Sequence, residues 1–142
     1  VSTCGTLAGT SRKIKEHFPN CRIIAVDIAG SQIFEKSNRQ KHISGIGTGF
    51  VPQNLQHAKY DDFIIIDESD AISECRNLLL KGIMVGASSG AVAYAIQNYG
   101  GYSEDLQTKK IVRLFPDRGE RYLDTIYNKE WCNKVGIDIG LL

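Results

Sequence analysis

Short, unbroken apolar runs alternate along this chain with stretches of helical periodicity. Residues 22–28 (Arg-Ile-Ile-Ala-Val-Asp-Ile), 63–67 (Phe-Ile-Ile-Ile-Asp) and 110–116 (Lys-Ile-Val-Arg-Leu-Phe-Pro) each read as a strand buried on both faces, since a strand with one wet face would alternate instead. Leu7, Ile14 and Phe18 are spaced to give a first helix one buried stripe, with Arg12, Lys13, Lys15 and Glu16 mainly outside and Pro19-Asn20 as its stop. Ala71, Ile72, Cys75, Leu78 and Leu79 share one face of a second helix, whose start is crowded by Asp67, Glu68, Ser69 and Asp70. Val92, Ala95, Ile96 and Tyr99 stripe a third, beginning near Ser88 or Ser89, and Leu123, Ile126, Tyr127 and Trp131 a last one. The alternation predicts an α/β fold: a doubly wound, mostly parallel sheet with helices on both faces. Such sheets bind ligands beyond the C-terminal ends of their strands, so chemistry belongs to the residues just after each run.

Composition narrows the functional classes. At 142 residues and 42% hydrophobic content, the chain can bury one core of single-domain size. Its 17 basic and 16 acidic side chains nearly balance, which gives no reason to expect nucleic acid as a partner. Cys4, Cys21, Cys75 and Cys132 lie far apart with no C-x-x-C pair, so no metal site or redox motif is expected; they read as reduced, small hydrophobic positions of a cytoplasmic protein. No apolar run is long enough to cross a membrane, and no signal peptide or repeat is visible. The start at Val1, without methionine and already at a strand end, predicts the interior of a longer protein.

Three small-residue loops hold the candidate chemistry. Residues 1–10 (Val-Ser-Thr-Cys-Gly-Thr-Leu-Ala-Gly-Thr) form a turn opening a helix, where consecutive backbone N–H groups and the positive end of the helix dipole can converge on a phosphate. Ser2, Thr3 and Thr6 add hydroxyls and Gly5 permits close approach, although the same turn would serve as an ordinary helix cap. Gly45-Ile46-Gly47-Thr48-Gly49 places glycines at alternate positions, which suits backbone lying flat against a ligand. In Gly86-Ala87-Ser88-Ser89-Gly90, Ser88 can cap the following helix or aim its hydroxyl into a crevice.

The segments 2–6, 45–52, 86–91 and 114–123 (Leu-Phe-Pro-Asp-Arg-Gly-Glu-Arg-Tyr-Leu), in that order and spacing, resemble the C-terminal half of the cysteine synthase family, and the resemblance runs over essentially the whole chain. Those are pyridoxal 5'-phosphate enzymes of the tryptophan-synthase-β-like fold. The resemblance implies that Ser2, Thr3, Cys4, Gly5 and Thr6 hold the cofactor's phosphate, with Ser2 and Cys4 where glycines are usual. It implies that the Ser88 hydroxyl faces the pyridine nitrogen, that Gly45 and its neighbours flank the bound amino acid, and that Pro116 and Asp117 lie beside the ring nitrogen; locally, Pro116-Asp117 reads equally as a strand exit. A neutral hydroxyl leaves the ring a weaker electron sink than a carboxylate would, which favours β-elimination.

The activity implied is a two-stage β-replacement on small amino-acid substrates. The family's Schiff-base lysine and substrate-carboxylate loop have no counterpart here: Lys36, in Glu35-Lys36-Ser37-Asn38-Arg39, stands in the wrong order and reads as a solvated loop lysine. The chain is therefore expected to be the cofactor-binding, C-terminal part of a longer enzyme, without catalytic residues of its own and inert alone. Residues 2–6, 116–124 and the Tyr127 to Trp131 spacing look closest to the siderophore branch, which joins O-phospho-L-serine to L-glutamate and gives N-(2-amino-2-carboxyethyl)-L-glutamate, a precursor of 2,3-diaminopropionate. Gly47-Thr48-Gly49-Phe50 looks more like O-acetylserine sulfhydrylases, which make cysteine from sulfide. Arg39, Arg118 and Arg121 are candidate anion partners, though loop arginines also serve as surface ion pairs. Family members are commonly homodimers, with Leu141, Leu142 and the Trp131 helix as candidate contacts. From another class, the same loops could serve a non-catalytic module that binds a phosphorylated ligand, because backbone donors read the phosphate and not the ring.

Overall fold

The computed structural model describes residues 1–37, 39–100 and 109–138, which fall into two compact units, Val1–Glu68 and Ser69–Leu142. Each unit has its own buried residues.

In the first unit, α1 (Gly5–His17) precedes two parallel strands, β1 (Ile24–Ile28) and β2 (Asp62–Ile66), paired from Ile24↔Asp62 to Ile28↔Ile66. Parallel neighbours need a long crossover, usually a helix. Here the connection is irregular apart from a 3-10 turn at Gln53–His57, which packs on α1, and it carries the glycine-rich loop. Ala25, Ile28, Ile33, Ile46 and Ile66 form the core, each isoleucine contributing about 1.5–3 kcal/mol when fully buried.

The stripe expected on α1 is not what the helix buries. Ile14 and Phe18 are exposed, and the covered face is Ala8 and Ser11. Small residues win that face because the crossover comes close: the Ser11 hydroxyl accepts the Lys59 N–H at 2.8 Å and donates to the Ala8 carbonyl at 3.4 Å. The helix also stops at His17, short of the proline, its end marked by the Phe18 N–H bonding to Ile14 O at 2.7 Å.

The second unit is helical. α2 (Glu68–Leu80), whose first residue still belongs to the first unit, buries Ala71, Ile72, Cys75 and Leu78 as its periodicity requires, but leaves Leu79 exposed. α3 (Ala87–Asn98) starts one residue before Ser88 and is almost wholly covered on its alanine-rich side. Two sequence expectations fail here. The run 110–116 forms no strand among the described residues: Val112 is 96% exposed, and the segment pairs only at its exit, through an antiparallel bridge of Arg118 to Val85. An apolar run becomes a strand only where a neighbour takes its hydrogen bonds. The helix expected from Leu123 to Trp131 is instead a run of turns following a 3-10 turn (Gly119–Tyr122), and a short α4 (Lys129–Lys134) begins only after the Asn128 side chain accepts the Trp131 N–H at 3.0 Å and caps a fresh start. Leu141 and Leu142 lie outside the described residues.

Candidate functional site

The N-terminal turn opens α1 at the place where the sequence predicts an anion cradle. Cys4 takes a left-handed conformation (φ 59°) and hands over to α1, whose first intrahelical bond runs from Ala8 N–H to Cys4 O at 2.8 Å. The Cys4 side chain makes no capping bond to the helix and no acidic residue stands in its first turn, so among the described residues the opening N–H groups and the dipole remain open to an anion. A non-glycine residue in this conformation costs on the order of 1 kcal/mol. Cys4 bears it at a buried position, its thiol donating to Ser2 O at 3.5 Å, and burial raises that thiol's pKa, so it stays neutral. Thr3, Gly5 and Thr6 are exposed and Ser2 is half-buried.

Two features of the cradle were not legible in the sequence. Asp27, at the end of β1, is fully buried, and neither carboxylate oxygen reaches a hydrogen-bond partner among the described residues. Burial pushes its carboxyl above the usual range, tempered by the nearby Ile28 backbone and Ser31 hydroxyl, and it is electrostatically coupled to Cys4. The second is Asn54, whose side-chain amide donates to Thr3 O at 3.1 Å from the 3-10 turn.

The loop 45–49 is fastened within the same unit. Gly47 donates to Val1 O at 2.7 Å, Gln32 N–H to Thr48 O at 2.8 Å, and Thr48 N–H to the Ser31 hydroxyl at 3.3 Å. Gly47 is glycine for packing rather than for a ligand: at φ 71°, a Cβ would stand 2.7 Å from Ile28 Cγ2. Gly45 (φ 85°) is exposed and Gly49 has open space around it. Upstream, Glu68 accepts the His42 and Ile43 N–H groups at 2.7 and 2.8 Å and meets His42 Nδ1 at 3.0 Å.

The second unit holds the other expected residues. Gly86, not Ser88, is the α3 cap residue and offers no side chain, so Ser88 is not spent on capping and sits half-buried in the first turn. Ser89 beside it is fully buried, its hydroxyl without a partner among the described residues. Asp117 accepts the Tyr122 hydroxyl on Oδ2, while Oδ1 is buried, unpaired and packed where a Gly86 Cβ would be. Pro116 is exposed. Of the candidate arginines, Arg39 pairs with Asp67 at 2.8 Å and Arg118 approaches Glu120 at 3.8 Å; Lys36 is an exposed loop residue.

Residues 1–117 match the pyridoxal-phosphate dependent enzyme family. The chain belongs to that family. It is 41% identical over 136 residues to N-(2-amino-2-carboxyethyl)-L-glutamate synthase of Ralstonia nicotianae and 39% identical over 137 residues to the same-named enzyme of Cupriavidus metallidurans, in each case over 95% of this chain and 40% of the relative. The chain thus spans about 40% of the length of these curated relatives. Among solved structures, the O-acetylserine dependent cystathionine β-synthase of Helicobacter pylori superposes with a TM-score of 0.78 at 33% identity, over 90% of this chain and 42% of that one. Cysteine synthase of Entamoeba histolytica gives 0.77 at 37% identity, over 89% and 38%. The α/β fold with parallel strands is therefore shared with enzymes of this family. The α1 start, left without a side-chain cap from Cys4, and the left-handed Cys4 suit the phosphate of such a cofactor.

Proposed function

We propose that this chain is the C-terminal, cofactor-binding portion of a pyridoxal-phosphate-dependent β-replacement enzyme that condenses O-phospho-L-serine with L-glutamate to N-(2-amino-2-carboxyethyl)-L-glutamate, for 2,3-diaminopropionate and siderophore synthesis. The identity of about two residues in five to two enzymes named for that product, along 95% of the chain, carries this reading. When bound, the cofactor supplies the electron sink that labilises an amino acid's Cα proton and its Cβ leaving group. The chain's own residues divide the work of holding it. The first-turn N–H groups of α1, with Ser2, Thr3, Cys4, Gly5 and Thr6, take the phosphate; the Ser88 hydroxyl meets the ring nitrogen without the charge that would protonate it. Gly45 lies beside the amino-acid substrate, and Pro116 and Asp117 border the ring. Assignment of both sets to one cofactor rests on the family. The lysine that carries the cofactor is assigned to the part of the relatives that this chain does not span. A cytoplasmic homodimer is the expected assembly.

Cysteine synthesis is the second reading, favoured by the 37% identity to the Entamoeba cysteine synthase and by Gly47-Thr48-Gly49-Phe50. The two separate by product. The full gene product, supplied with pyridoxal 5'-phosphate, O-phosphoserine and glutamate, is expected to yield N-(2-amino-2-carboxyethyl)-L-glutamate by mass spectrometry, and residues 1–142 alone are expected to yield none. Cysteine formed from O-acetylserine and sulfide, with glutamate ignored, reverses the order of the two readings. A full gene product that stays colourless with the cofactor and turns over neither pair leaves only a phosphate-binding module.

A further inference from the structure

We propose that Asn54 is the residue that sets the phosphate cradle, by fixing the orientation of the Thr3–Cys4 peptide; this rests on the cofactor reading above. The Asn54 amide donates to Thr3 O at 3.1 Å. The carbonyl can only accept, so the NH2 end of Asn54 must face it, and the opposite flip would set oxygen against oxygen. No peptide bond among the described residues is cis, and in a trans peptide the C=O and the following N–H point to opposite sides. Holding Thr3 O toward Asn54 therefore turns the Cys4 N–H away from it. That N–H is the donor immediately before α1, at the residue whose left-handed backbone already starts the helix. Without the tether, the peptide is free to flip and present a carbonyl, which repels an anion, where the donor stood.

The placement of Asn54 explains why two glycine-rich segments 40 residues apart in sequence serve one task. Asn54 lies in the 3-10 turn Gln53–His57, directly after the loop that starts at Gly45, and that turn packs on α1. The same loop bonds through Gly47 to Val1 O, just ahead of the cradle. Gly5 also faces Asn54: a Cβ there would be 3.8 Å from Nδ2, an ordinary contact, so the tether does not depend on glycine at position 5. Asn54 is thus a positioning residue that acts through backbone and need not touch substrate.

The test compares pyridoxal 5'-phosphate with phosphate-free pyridoxal as ligands of the full gene product, by titration calorimetry. Asn54→Leu keeps the side-chain shape and removes the donor. It is expected to weaken binding of the phosphorylated ligand by roughly five- to tenfold, the worth of one hydrogen bond, and to leave pyridoxal unchanged. Asn54→Asp, which cannot donate when ionised and adds negative charge, is expected to lose more, again only for the phosphorylated ligand, and Asn54→Gln to recover part of the loss. Equal weakening of both ligands, or no weakening of either, overturns the assignment to Asn54 while leaving the cofactor reading in place. A wild-type protein that prefers neither ligand overturns the cofactor reading itself, and this proposal with it.

Discussion

The Tyr127 hydroxyl closes on both backbone groups of Val85, donating to its carbonyl at 2.6 Å and accepting its N–H at 3.1 Å. Val85 is the last residue before the turn that starts α3, so the latch fixes the approach to Ser88. Tyr127→Phe removes one oxygen and strands two buried backbone groups. It is expected to cost about 1–3 kcal/mol, read as a shift of the urea midpoint at unchanged slope. A loss below about 0.5 kcal/mol would mean that water replaces the hydroxyl and that the latch contributes little.

The same buried region predicts how stability responds to alkali. Burial pushes the Cys75 thiol from its ordinary 9.0 up to about 12. A raised pKa means that the folded state holds its proton longer than the unfolded chain does. The contribution is therefore complete below pH 9 and is lost as pH rises from 9 toward 12, at about 1.4 kcal/mol per unit. Cys75→Ala deletes the titration, so the variant's unfolding midpoint is expected to fall less steeply than the wild type's across that window. Parallel curves would show that the thiol ionises no differently in the two states.

Part of this architecture was written in the letters, and part depended on contacts that no local pattern encodes. The runs 24–28 and 62–66 become strands because each finds the other. The run 110–116 has the same character, yet among the described residues its sole pairing is a bridge just beyond it, at Arg118, so composition alone could not separate the cases. On α1 the polar Ser11 is fully buried whereas Ile14 and the C-cap Phe18 are exposed, which inverts the amphipathic logic of that helix, and on β1 the acidic Asp27 is fully buried. The opening turn was legible as a turn because small residues just before a helical stripe mark a helix start, and Cys4 with α1 from Gly5 bear that out. Asn54 was not, since a side chain bonded to a carbonyl 51 positions away leaves no periodic trace.

Glycine positions give a paired test of close packing. A Cβ on Gly90 would run into the Ala71 carbonyl and Cys75 Sγ, both on α2, and helix backbone cannot give way cheaply. Gly90→Ala is expected to destabilise by about 3 kcal/mol or more. On α1, Gly9 has nothing within 4 Å, so Gly9→Ala adds helix propensity without a clash and is expected to stabilise by about 1 kcal/mol. Thermal unfolding of the two variants should bracket the wild type; a stable Gly90→Ala would mean that α2 and α3 can slide apart.

Glu68 predicts where the crossover opens first. Its carboxylate, on a residue only 8% exposed, takes the N–H groups of His42 and Ile43, and Gly45 follows two residues later. Two backbone donors on one charged acceptor are stronger than neutral pairs, and Ile43 is itself buried, so its N–H has little access to water. Glu68→Ala is expected to cost about 2–3 kcal/mol, and to do so locally. Amide hydrogen exchange at His42, Ile43 and Ile46 should accelerate before exchange in β1 and β2, because the strands keep their own ladder. Glu68→Gln, which retains one acceptor oxygen, should fall between. Uniform acceleration across strands and loop would instead place Glu68 in the global folding unit and release residues 45–49 from its control.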